Sequence, residues 1–135
     1  MEGACVHRVS YPAEAHRFCW FSRRVASALM FRQPALLWVK QTGIWASSEN
    51  WHLYYTLRRS HADHRLLADA PGHLFLDFEG EDLASYLQLV MLHGWDAELL
   101  TEAGYLRASF SHDEYADFFA ADERGLEGVK GEFPV

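Results

Sequence analysis

The stretch Glu79–Ala121, EGEDLASYLQLVMLHGWDAELLTEAGYLRASFSHDEYADFFAA, decides the fold class. Its first part predicts a helix over 79–93. Leu83, Tyr86, Leu87, Val90 and Met91 recur at helical spacing, and Leu89 and Leu92 widen the stripe, so the helix is expected to be buried on most sides. Glu79, Glu81 and Asp82 sit in the first turn, where the helix dipole favours anions. Gly94 stands where a left-handed C-terminal cap belongs. The pattern then changes period. Trp95–Leu100 and Tyr105–Phe110 read as two strands joined by the four residues Thr101-Glu102-Ala103-Gly104, a hairpin. Ser111-His112-Asp113-Glu114 has the form of a capping box, which predicts a last helix to about Ala121 with Tyr115, Phe118 and Phe119 on one face. A helix followed by an antiparallel hairpin belongs to the α+β class rather than to alternating βαβ units.

Working outward, His73–Phe78 is short, apolar and bounded by turn residues, as a buried strand is. Ser60 is placed to cap a short helix over 61–69, with Asp63 in its first turn. Trp51–Arg58 alternates, with Trp51, Leu53, Tyr55 and Leu57 to the core and His52, Tyr54, Thr56 and Arg58 away from it. Ala35–Gln41 reads as its hairpin partner across a long loop. From Ala13 to about Phe31 no Gly or Pro interrupts the chain, and Phe18, Phe21, Val25, Ala28 and Leu29 predict a helix closed by Pro34. Residues 1–12 are expected to be irregular or extended. Beyond Asp122, Gly125, Gly128 and Gly131 among mixed charges suggest a flexible tail. The expected architecture is one α+β domain over 1–121, a mainly antiparallel sheet of about four to five strands with two or three packed helices, followed by a tail over 122–135.

The chain has 135 residues, half of them apolar and 23% charged, which excludes general disorder and fibrous repeats. No apolar run approaches the ~20 residues that span a bilayer. The first residues, MEGAC, lack the basic-then-apolar order of a signal peptide. With Cys5 and Cys19 the only cysteines, free thiols and a cytoplasmic location are expected. The net charge of −7 is unevenly spread. Residues 1–76 carry nine basic and five acidic groups, a balance of +4; residues 77–135 carry three and fourteen, a balance of −11. The first reading is that the two halves fold against each other and partly neutralise; the second is an acidic face for a basic protein partner; the third, a basic N-terminal face for nucleic acid, is disfavoured by the overall negative field.

Several constellations could carry chemistry. His61, Asp63 and His64 are suitable ligand types for a divalent transition metal such as zinc, and on a helix the two imidazoles would share a face. A solvated first turn explains the same residues. Ser111-His112-Asp113 holds the residue types of a hydrolytic triad, but triads are assembled by the fold from distant positions, and capping accounts for Ser111. No phosphate-binding glycine motif is present. Arg23-Arg24 and Arg58-Arg59 are the only basic doublets. Tyr54 beside the second resembles a base-stacking platform only weakly. Trp45 and Trp51 flank a polar loop containing Glu49, the mixture of rigid anchor and adaptable polar group found in recognition loops.

The expected function is therefore that of a small acidic protein-interaction module of inhibitor, immunity or adaptor type, without catalysis or cofactor. Its expected contact residues are Trp45, Glu49, Trp51, Tyr54, Glu79, Glu81 and Asp82. The expected partner is another protein with a basic surface, with no membrane and with self-association left open. Two alternatives stand beside it. One is a metal-dependent hydrolase centred on His61, Asp63 and His64. The other is a nucleic-acid binder using the arginine-rich N-terminal half.

Overall fold

A computed structural model describes residues 5–30, 33–41, 51–65, 72–102 and 106–133. In chain order these form β1 (Cys5–Ser10), a single 3₁₀ turn (Ala15–Arg17), α1 (Phe18–Leu29), β2 (Ala35–Gln41), α2 (Trp51–Ser60), β3 (Gly72–Phe75), α3 (Gly80–Leu92), β4 (Asp96–Thr101), β5 (Leu106–Ser111), β6 (Tyr115–Ala120) and α4 (Glu123–Glu132). The class is α+β. The sheet has six strands rather than four to five, in the order β1-β6-β5-β4-β2-β3, and every neighbouring pair is antiparallel. Four α-helices stand among the described residues rather than two or three.

The helices form one layer. α1 buries Phe21, Val25, Ala26 and Leu29, and α3 buries Leu83, Ala84, Tyr86, Leu87, Val90 and Met91. Both apolar stripes point at the inward residues of the strands and make one continuous core. Gly94 has φ 64°, the left-handed conformation that ends α3 with little steric cost. Trp95, fully buried, then begins the return into the sheet.

Five local expectations fail. Residues 51–60 are helical, so the hairpin with β2 does not exist, and β2 instead lies between β3 and β4. The apolar positions of WHLYYTLR fit both periods, and burial decides: Tyr54 and Arg58, one helical turn apart, are buried, while Leu53 is 37% exposed. Ser60 ends α2 instead of capping a following helix, its hydroxyl donating to the Leu57 carbonyl. Residues 61–65 form a turn and an irregular segment in which Ala62 has φ 64°, and the rest of the expected 61–69 helix lies outside the described residues.

The Ser111–Glu114 segment is a tight β5–β6 turn, not a helix start. The Ser111 carbonyl accepts from the Glu114 N–H at 3.0 Å, and the Ser111 hydroxyl accepts from the Asp113 N–H at 3.0 Å. A short hydroxyl side chain serves a turn as well as a cap, so the motif does not discriminate. Glu114 takes φ 69°, and Tyr115–Ala120 continues as a strand with Phe118 inside and Phe119 outside. Residues 123–132, expected within a flexible tail, form α4. Asp122 Oδ1 caps it, accepting from the Gly125 N–H at 2.8 Å. Leu126, Val129 and Phe133 make an apolar stripe into the core, while Gly128 and Gly131 lie on the solvent side, where a small residue loses no packing. Lastly, β3 is an edge strand of only four residues, and Leu76 and Phe78 beyond it are exposed rather than buried.

Candidate interaction surface

Successive strand residues face opposite sides of a sheet. The register aligns His7, Phe118, Ala108, Leu99, Leu37 and His73 as one inward row across all six strands. The next row on the opposite face is Val6, Phe119, Arg107, Leu100, Leu36 and Leu74. Five of these six are apolar, and no helix among the described residues packs on them. Val6 is 51% and Leu74 53% exposed. Phe119, Leu100 and Leu36 between them are half-buried, and Arg107 interrupts the row; apolar side chains grouped this way mark a contact surface more often than a scattered exposed leucine does.

The neighbouring outward row is Arg8, Asp117, Ser109, Glu98, Trp38 and Gly72. Its charges are matched across strands. Arg8 grips Asp117 with two bonds of 2.7 and 2.9 Å and lies 3.8 Å over the Tyr115 ring. Glu98 accepts from Arg107 at 3.1 Å and from the Ser109 hydroxyl at 3.0 Å, with Lys40 at 3.5 Å. Arg107 lies 4.3 Å over the Phe119 ring, tying the polar row to the apolar one. Trp38 is 42% exposed at the end of the ladder. Side chains held this way lose little further freedom when a partner lands on them. Gly72 has no side chain to add to this row, and a Cβ there would stand 3.2 Å from Leu36.

A shallow cleft on the same face is lined by Lys40, Asp96, Glu98, Ser111, His112 and Asp117, among others. At its end, Asp96 accepts from the His112 backbone N–H at 2.9 Å and from Nδ1–H at 3.0 Å. That carboxylate raises the His112 pKa above its ordinary value. A raised imidazole stabilises the fold below the unfolded value of about 6.5 and loses that contribution as pH rises through the higher folded value. The urea midpoint should accordingly drift down on passing from pH 6 to 8, and Asp96→Asn should remove that drift.

At the β3 edge the apolar surface runs on from Leu74 to Leu76 and Phe78, the last 79% exposed. Asp77, Glu79, Glu81 and Asp82 surround this turn. Glu79 accepts from the Leu76 N–H at 2.8 Å, Glu81 pairs with exposed Arg23 at 3.1 Å, and Asp82 lies 3.3 Å from His61. Comparison with protein families, with curated proteins and with solved structures finds no match.

Glu79, Glu81 and Asp82 are neighbours at the start of α3, and Asp77 and Glu81 line a groove with Arg23, Ala26, Ser27 and Met30 of α1, on the helix side of the sheet. Trp45 and Glu49 lie outside the described residues, and Trp51 opens α2. Tyr54 is not a surface anchor. It is 1% exposed, in edge contact with Tyr86 and Trp95, and burial pushes its hydroxyl pKa up to about 12.

His61, Asp63 and His64 do not converge. His61 Nδ1 meets the Tyr86 hydroxyl at 2.8 Å, and His64 is exposed. Asp63 is engaged by protein cations: Arg65 at 2.9 Å, Arg58 Nη2 at 3.0 Å and His73 Nδ1–H at 2.8 Å. These bonds, the Arg65 ones foremost, hold its carboxyl far below the usual carboxylate range. Among the described residues no three His, Cys, Asp or Glu side chains are grouped to hold a metal ion.

Sequence reasoning missed Val6, Leu36, Trp38, Leu74, Leu100 and Phe119. One signal was present. ALLWV in β2 is apolar on both faces, and a strand with two apolar faces in an antiparallel sheet has one more surface to cover.

Proposed function

We propose that this chain is a protein-interaction module of inhibitor, immunity or adaptor type, working through the outward face of its sheet, on which no helix among the described residues packs. One observation carries the reading: Val6, Phe119, Leu100, Leu36 and Leu74 share one outward row, interrupted by Arg107 and exposed at its two ends, beside a charge ladder whose geometry is already set. Trp38, Tyr115 and Phe119 supply the aromatic anchors that dominate protein interfaces. The cations of this face, Arg8, Arg107, Lys40 and His112, are already paired with Asp117, Glu98 and Asp96, so they form no free cationic cluster for a phosphate backbone, and a protein is favoured over a nucleic acid. The −11 balance over residues 77–135 favours a partner with a basic surface. No helix among the described residues is long and apolar enough to cross a membrane. With Cys5 and Cys19 free, a reducing compartment, the cytoplasm, suits the chain.

The test is site-specific photocrosslinking in the native cell. A benzophenone-bearing residue is placed at position 74 on the sheet face, or at position 127 on the solvent side of α4. The expected result is one discrete partner captured from position 74, lost when Leu36→Glu is added, and not captured from position 127. Capture from position 127 alone, or capture from 74 that Leu36→Glu leaves intact, would overturn the assignment of the face.

A further inference from the structure

We infer that β1 is a docking edge, to which an extended segment of the partner adds as a further antiparallel strand with its alternate apolar side chains beside Cys5 and Val9. The inference rests on the protein-binding reading above and adds the conformation and pattern of what is bound.

The ladder shows which backbone groups are open. In an antiparallel pair, residues that exchange both hydrogen bonds alternate with residues that turn theirs away. The Tyr11 N–H donates to the Glu114 carbonyl at 2.9 Å, and the same register pairs Val9 with Ala116, His7 with Phe118 and Cys5 with Ala120. Val6, Arg8 and Ser10 therefore aim their N–H and C=O groups away from β6. β1 ends the strand order, and no other backbone group among the described residues bonds to these three. All three are exposed. An unpaired row of this kind is a template for an extended backbone, which presents donors and acceptors at the matching spacing.

The two edges of the sheet differ in protection. β3 is blunted by its length of four residues. β1 has six residues, no proline and no lysine, and its register with β6 runs without a bulge. Its one charge, Arg8, is drawn back over its own sheet by Asp117 and the Tyr115 ring instead of guarding the edge.

Alternation sets the pattern of the added strand. On the helix side, Cys5 and Val9 are half-buried and pack against the core. A neighbouring strand with an apolar residue at every second position carries that core one strand further, and its other residues lie beside Val6, Arg8 and Ser10. A second copy of this chain fits worse. The two-fold register that uses all three open residues sets Arg8 opposite its own counterpart and Val6 opposite Ser10, and each chain carries a charge of −7.

The test titrates the whole chain with a synthetic peptide of alternating Val and Thr, closed by Lys at both ends, and reads amide hydrogen exchange residue by residue. In the free chain the Val6, Arg8 and Ser10 amides should exchange fast and those of His7 and Val9 slowly. Excess peptide should slow the three open amides at least tenfold. Val6→Pro removes a donor on the open side alone, a place where an edge strand tolerates proline, and should weaken the peptide at least tenfold. Two further peptides keep the test independent of that variant's folding. N-methylation of one alternate set of peptide residues should abolish binding, and of the other set should leave it within twofold. Slow exchange of Val6, Arg8 and Ser10 in the free dilute chain would show a covered edge and overturn the inference. So would excess peptide that leaves the three amides unchanged, or binding indifferent to which set is methylated. Protection of the three amides that grows with the concentration of the chain alone would replace the partner strand by a second copy. Crosslinks from position 74 judge the underlying reading separately: a partner captured there, with β1 inert to the peptide, leaves the protein-binding face and removes the strand.

Discussion

Asp63→Ala is expected to destabilise the fold by about 3–5 kcal/mol, the cost of breaking a buried ion pair from one side. Arg58 is fully buried at the end of α2, and its Nη2 lies 3.0 Å from the Asp63 carboxylate. His73, on the inward face of β3, donates to the same carboxylate and stacks on Tyr86 at 5.4 Å. Asp63 therefore joins α2 to β3, and through His73 to α3, and its removal takes a close counter-charge from the buried guanidinium. Chemical unfolding measures the loss, and a change below about 1 kcal/mol would mean that Arg58 is held by other groups. The effect has a definite pH dependence. A carboxyl whose folded pKa is depressed contributes stability that is present above its unfolded value of about 3.9 and lost as pH falls toward the folded value. The gap between the native chain and Asp63→Asn should thus be constant above about pH 5 and shrink steadily below pH 4.

Phe133→Ala is expected to cost about 3–5 kcal/mol, as for a large aromatic removed from a close-packed core. Phe133 is 4% exposed. Its ring lies 4.9 Å from Phe21 and 5.6 Å from Phe118, and meets Trp20 edge-on at 6.4 Å. Its carbonyl lies 3.0 Å from His7 Nε2, which donates to it, so the residue ties the end of α4 to β1 and α1 together. A flexible tail would make the same substitution nearly silent. The unfolding free energy of this single variant separates a docked C-terminal helix from a tail.

Where sequence and structure agree, one local signal had no competitor. The α3 stripe from Leu83 to Met91 spans more than two helical turns, and no strand pattern matches it. Gly94 and the β4–β5 hairpin were legible for the same reason. Where they disagree, two structures share one local pattern. Trp51–Arg58 alternates and is also helical in period. Ser111 suits a cap and a turn equally. In α4 the glycines are conspicuous, whereas Leu126, Val129 and Phe133 matter more, because they are buried in the common core, where Phe133 packs on Phe118 and Phe21.

The candidate site divides along the same line. The acidic corner at Glu79, Glu81 and Asp82 could be read from sequence, because those residues are neighbours in the chain. The cross-sheet row could not, since its six members come from six strands and become a surface only through the strand order. By itself the sequence determined the α+β class, the central helix, the C-terminal hairpin and the charge asymmetry, all of which follow from contacts or composition within a short segment. Tertiary structure alone decided that α2 is a helix, that Asp63 bonds Arg58, Arg65 and His73, and that no helix among the described residues packs on the outward face of the sheet. The Asp63 partners are near in sequence, but the turn after α2 and the placement of β3 bring them together; the helicity of α2 turns on burial against α3, which separates states that local physics leaves nearly equal in energy.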